Sequence, residues 1–145
     1  MKEGIGGTFM IYVMLVFLAV YITFLAVAFN YARAFRVKNK VIDIIEQNEG
    51  MDFTDISDDS TLGQIENYLG QVSYVVTGID RNDCPETEYG YINSDRGYCI
   101  QEISSNTNGK YYKVKTFIKL EIPFLDLGFT IPVKGETRKI ERINT

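Results

Sequence analysis

FMIYVMLVFLAVYITFLAVAF, residues 9–29, is one apolar run in which Thr23 is the only polar side chain besides the tyrosine hydroxyls. No charge stands between Glu3 and Arg33. At about 1.5 Å of rise per residue, roughly 20 such residues cross the hydrocarbon core of a bilayer. The run therefore reads as a transmembrane helix over 9–30, preceded by a short flank, 1–8. Phe9, Tyr12, Leu15, Phe17, Ala19, Tyr21, Phe24, Ala26, Ala28 and Phe29 mark this anchor. A cleaved secretory signal has an apolar stretch of only about 7–15 residues and a small-residue cleavage site after it. Here the run is longer, and Asn30-Tyr31-Ala32-Arg33 is a poor cleavage site. A core helix in so small a chain is rarely apolar on every side.

The helix is expected to continue past the anchor. No Pro or Gly follows Asn30 until Gly50, a plausible C-terminal stop. Val37, Val41, Ile44 and Ile45 recur at spacings of three and four, with Phe35 and Ile42 close to the same face and Arg33, Arg36, Lys40, Asp43 and Glu46 elsewhere. That is an amphipathic extension over 31–49.

Residues 50–145 read as an α+β head. MDFTDISDDS, 51–60, is an acidic connector. Asp52, Asp55, Asp58 and Asp59 could gather around calcium, but their spacing lacks the Gly and Glu of a calcium loop, so a solvated connector is expected. Thr61 and Gln64 can form a capping box for a short helix, Leu62–Leu69. The period then becomes alternating: Gln71–Thr77, Tyr98–Ser104 and Lys110–Ile122 read as strands, with a turn at 105–109. In the longest, Tyr112, Val114, Ile118, Leu120 and Ile122 point one way, and Lys113, Lys115, Lys119 and Glu121 the other. One buried and one wet face are expected of such a sheet. Phe129–Val133 and Glu136–Ile143 read as a last pair around Lys134-Gly135. Packing the helical stripe on the buried face gives a lollipop: a long N-terminal transmembrane and amphipathic helix carrying a small antiparallel sheet.

The charge is divided unevenly. Residues 1–40 hold Lys2, Arg33, Arg36, Lys38 and Lys40 against Glu3 alone; the rest holds 10 basic and 18 acidic residues, and the two parts sum to −4. An acidic head argues against nucleic acid as a partner. The juxtamembrane cations Arg33, Arg36, Lys38 and Lys40 suit anionic lipid headgroups.

Cys84 and Cys99 bracket the polar stretch CPETEYGYINSDRGYC. A disulfide between them would close a loop of about 15 residues, worth on the order of 3 kcal/mol, and would persist only outside the cytosol. The basic flank, by the positive-inside rule, points the other way and would leave the head in the cytoplasm. The cysteines carry more weight, since so short an N-terminal flank can stay inside; an extracytoplasmic head is expected.

Catalytic chemistry is sparse. The chain has no His and no Trp, so the commonest general base and metal ligand is missing. Two cysteines without His cannot make a four-ligand Cys/His zinc site. Carboxylate pairs such as Asp58-Asp59 and Glu86/Glu88 sit in polar stretches, and Gly4-Ile5-Gly6-Gly7 precedes a membrane helix rather than following a strand. No cofactor, no metal and no enzymatic activity are expected.

The start Gly4-Ile5-Gly6-Gly7-Thr8-Phe9, the run Phe9–Phe29, the following Tyr31-Ala32-Arg33-Ala34-Phe35-Arg36 and the tail EIPFLDLGFTIPVKGETRKI at 121–140 resemble the TadE-like pilins and pseudopilins of the tight-adherence (type IVc) pilus machinery. The resemblance covers the first 45 residues and the last 25. It implies a membrane-anchored component of a type IV or Tad pilus, or of a related secretion apparatus, at the cell surface. Partners would be the lipid bilayer and other pilin-like subunits or assembly-platform proteins, in homo- or hetero-oligomers. Counting from Gly4, Gly6 or Gly7, the fifth following residue is Phe9, Ile11 or Tyr12 and never Glu, which suits a minor pseudopilin, or an unprocessed relative, better than a major pilin. The alternative is a standalone anchored binding or sensing domain that uses the Cys84–Cys99 loop, with Tyr89, Tyr91 and Tyr98, as its contact surface.

Overall fold

The computed structural model describes residues 2–79, 82, 84, 90–105, 109–122 and 127–141. It is an α+β molecule: a long N-terminal apolar helix with a small antiparallel sheet at its C-terminal half. Helix α1, Lys2–Gln47, has 46 residues. It begins before the apolar run, so the glycines at 4, 6 and 7 are helical too. The two threonine hydroxyls along its apolar part bond within the helix, Thr8 Oγ1 donating to the Gly4 carbonyl and Thr23 Oγ1 to that of Ala19, so neither asks for an outside partner. The helix ends in paired reverse bonds, Gly50 N–H to the Ile45 carbonyl and Glu49 N–H to that of Glu46. This is a Schellman closure with Glu49, φ 53°, in the left-handed position. The stop is thus made one residue before Gly50.

Helix α2, Thr61–Gln71, is capped by Ser60, whose side chain accepts from Gly63 N–H. The cap lies one residue earlier than the Thr61–Gln64 box expected from sequence. Thr61 Oγ1 instead donates to the Gly50 carbonyl, and Gln64 Nε2 to that of Asp59.

The sheet is formed by β1 Gly90–Asn93, β2 Tyr98–Ser105, β3 Gly109–Ile122, β4 Leu127–Glu136 and β5 Ile140–Glu141. Its order is β1-β2-β3-β4, all antiparallel, with β5 also on β3. The buried stripe of α1, Ala34, Val37, Val41, Ile44 and Ile45, packs with Tyr112, Val114 and Ile118 of β3 and with α2's Leu62, Ile65 and Leu69.

Three strand expectations are overturned. Gln71–Thr77 is not a strand: α2 runs through Gln71, Ser73 turns at φ 50°, and the chain then lies outside the ladder. The alternation there is real, with Tyr74 and Val76 buried and Val75 exposed, but its bonds go to the end of the sheet. The Tyr74 hydroxyl donates to the Phe117 carbonyl (2.7 Å) and accepts from Phe117 N–H (3.0 Å), occupying the edge of β3 that β2 vacates beyond Tyr98.

Lys134-Gly135 is not a turn. Both residues lie inside β4, opposite Lys115 and Val114. A Cβ on Gly135 would stand 2.8 Å from both Ile42 Cδ1 and Lys38 Cδ, so glycine is here because α1 crosses β4 closely. β5 continues along the same partner strand. Lys113 faces Glu136 and Lys110 faces Ile140, three steps against four, which is a one-residue bulge. Thr137 holds it, its N–H donating to the Tyr112 carbonyl and its Oγ1 accepting from Tyr112 N–H. Arg142 and Ile143 lie outside the described residues.

The second face of the sheet is not simply wet. Phe117 and Cys99 have the parity of the lysines, yet they are 1% and 7% exposed and belong to the main core with Cys84 and Val76. The 84–99 stretch also holds a strand, β1. Its hairpin to β2 is closed by Asn93, whose Oδ1 accepts from Asp95 and Arg96 N–H, with Gly97 at φ 81°.

Candidate functional site

The largest chemically distinctive surface is the first half of α1. The helix is long and apolar enough to cross a membrane: between Gly4 and Gln47 lies an 18-residue window of mean hydropathy 2.6, none of it buried. Phe9, Tyr12, Leu15, Phe17, Tyr21, Phe24 and Phe29 are between 57% and 74% exposed. Ala26 and Ala28 are exposed and Ala19 half-buried. So large a bare apolar surface marks contact with lipid or with other apolar chains. With apolar residues on all sides, it offers no single seam and suits a medium that surrounds it.

The four juxtamembrane cations do different things. Arg33 Nη2 donates to the Val72 (2.7 Å) and Ser73 (2.6 Å) carbonyls. These carbonyls close α2, where the helix dipole is negative and a guanidinium is favoured. Arg36 is exposed. Lys38 is 9% exposed; its stem lies by Gly135 and its Nζ stands 4.2 Å from the Phe35 ring centroid, a long cation covering apolar surface. Lys40 pairs with Asp43 at 3.1 Å. Sequence placed all four in one headgroup-facing group; among the described residues, three of them have such a local role and Arg36 is exposed.

Cys84 and Cys99 stand at disulfide distance, with Sγ atoms 2.09 Å and Cα atoms 6.2 Å apart. The bond ties the 84 region to the start of β2 beneath buried Phe117. Of the loop tyrosines, Tyr98 is 1% exposed and its hydroxyl donates to Glu66 of α2. Tyr91 is half-buried against it, ring centroids 6.0 Å apart. Tyr89, Glu86 and Glu88 lie outside the described residues.

Sequence reading missed Glu66. Its carboxylate accepts from the Tyr98 hydroxyl, from Asn93 Nδ2 (2.8 Å) and from Arg96 Nε (2.8 Å), fastening the β1–β2 hairpin to α2. Burial first, and then the Glu66 carboxylate, push the Tyr98 hydroxyl far above its ordinary range. Burial likewise raises Tyr74 and Tyr112. The signal available was the pattern Asn-x-x-Arg-Gly-Tyr, a polar turn followed by a strand, but nothing in one sequence names its partner on α2.

In the acidic connector, Asp52 Oδ1 accepts from Thr54 Oγ1 and N–H, and Asp55 Oδ1 from Ser57 N–H. These bonds hold both carboxyls below the usual range. Among the described residues no three His, Cys, Asp or Glu side chains gather as a metal site. The recess beside Arg33, Tyr74 and Phe117 holds ≈ 100 Å³, less than the roughly 300–1,000 Å³ of small-molecule sites. No protein-family model, curated protein or solved structure matches this chain.

Proposed function

We propose that this chain is a minor, TadE-like pilin component: a single-pass membrane protein with an extracytoplasmic head, working by packing its anchor and head against neighbouring subunits. The carrying observation is that one unbroken helix is bare and apolar over its first half and core-forming over its second. Such a helix couples the position of the head rigidly to that of the anchor, which a filament or assembly platform requires. Ala19, Ala26, Ala28, Ala32 and Gly7 offer the small surfaces on which helices approach closely in lipid. The Cys84–Cys99 bond supports a head outside the cytosol. The role is structural, with no reaction assigned to it. The rival reading, a standalone binding domain with a tyrosine-bearing loop, loses support because Tyr98 is buried and engaged.

The test exchanges residues 9–29 for an unrelated apolar helix of equal length in the native host. Loss of pilus assembly or secretion, matching the gene deletion, is expected. Assembly that survives either change would overturn the proposal.

A further inference from the structure

Resting on the reading of α1 as a membrane anchor, we infer that the head also touches the bilayer directly, through the anchor-side end of β4, with Phe129 and Ile131 lying at the boundary of lipid headgroups and acyl chains.

The helix and β4 run side by side at nearly equal pace. Thr116, paired with Val133, donates its Oγ1 to the Ala34 carbonyl (3.1 Å). Gly135 lies against Lys38 and Ile42, and Arg138 N–H donates to Glu46 Oε1 (2.7 Å). From Ala34 to Glu46 the helix rises about 18 Å, while Val133 to Arg138 covers about 16 Å of strand. Both elements therefore advance together, and the lower numbers of β4 lead back toward the anchor. At that pace Ile131 lies level with about residue 30 of α1, and Phe129 with about residue 25. Phe129 is thus about 6 Å below Phe29, inside the apolar run.

The strand carries side chains suited to that depth. Phe129 and Ile131 share the face of Val133, which joins Ala34 and Ile118 in a small cluster. They are nevertheless 52% and 45% exposed. They continue the bare apolar surface of the anchor instead of standing alone. Arg36, exposed and about 9 Å nearer the head than the level of Ile131, suits anionic headgroups. A depth of about 5–10 Å is where interfacial apolar groups settle. Among the described residues the outer edge of β4 has no strand beyond it, and unpaired backbone groups are costly in the hydrocarbon core. That edge keeps entry shallow, at the boundary of headgroups and acyl chains. The occupant is therefore lipid.

The chain has no tryptophan, so single tryptophans report cleanly. Full-length Phe129→Trp, Ile131→Trp, Phe24→Trp and Ile56→Trp proteins would be placed in phosphatidylcholine vesicles with brominated acyl chains. Phe24→Trp reports the anchor, and Ile56→Trp the distant connector. Emission from Phe129→Trp and Ile131→Trp should fall by an amount between those two. It should fall more with bromine near the glycerol end of the chain than near its tip. Strong quenching of Phe24→Trp alone overturns the inference and leaves the anchor intact. Absence of quenching at Phe24→Trp as well overturns the anchor and the inference with it. Blue-shifted emission at Phe129→Trp that ignores bromine and grows with protein concentration would mean a second copy covers this face, which also overturns it.

Discussion

The two halves of α1 both carry large apolar side chains, and these meet opposite fates. Between Phe9 and Phe29, nearly every large side chain is open; between Ala34 and Ile45, Val37, Val41 and Ile45 are at most 1% exposed. The difference lies in patterning. The second half confines its apolar residues to one stripe and leaves Arg36, Lys40 and Asp43 outside it, so a sheet can satisfy it. The first half is apolar all round, and no single packed face could satisfy it.

The sharpest way to break this comparison is the same truncation in both halves. Ile45→Ala removes a fully buried side chain and should cost the head about 2–5 kcal/mol. Leu15→Ala, at a residue 57% exposed, should change head stability by less than about 0.5 kcal/mol. Denaturant unfolding of the full chain in micelles, followed by near-ultraviolet circular dichroism, measures both. Equal costs would mean that the first half also packs on the head.

A smaller effect is expected where the second half meets β4. Gly135→Ala places a methyl group 2.8 Å from Ile42 Cδ1 and Lys38 Cδ. Lys38 can swing away but Ile42 is held, so a loss of about 1–3 kcal/mol is expected by the same unfolding measurement. A neutral result would show that α1 and β4 separate easily, and would weaken the side-by-side geometry that lowers Phe129 toward the membrane.

Gly135 also shows what sequence could and could not reveal. Lys-Gly between apolar runs is chemically a turn signal, and only the neighbouring helix makes it a crossing point. The long apolar helix, the amphipathic stripe, β3 and the cysteine pair were legible because each is written in local spacing. Gln71–Thr77 misled because alternation records burial, and Tyr74 buries its ring without joining a ladder. Phe117 was unforeseen because the cover on its face comes from chain distant in sequence. Of the candidate surface, the apolar run was legible in full. The separate tasks of Arg33 and Lys38 depend on Val72, Ser73 and Gly135, which no spacing rule connects to α1.

The mildest test concerns the head alone, through three buried tyrosines among the described residues. Tyr74, Tyr98 and Tyr112 are at most 2% exposed, and all three hydroxyls titrate above their ordinary value of 10.0, chiefly through burial. A group whose folded pKa is raised stabilises the fold fully below its unfolded pKa and loses that contribution as pH climbs toward the folded value. The head should therefore hold its stability through neutral pH and weaken progressively above about pH 10. Tyr98→Phe removes the largest of these shifts and one of three donors to Glu66, which keeps Asn93 and Arg96. It should cost about 1 kcal/mol at neutral pH and make the alkaline loss shallower. An alkaline profile identical in Tyr98→Phe and the parent chain would mean that this hydroxyl ionises as freely folded as unfolded, and that its bond to Glu66 does not hold the hairpin on α2.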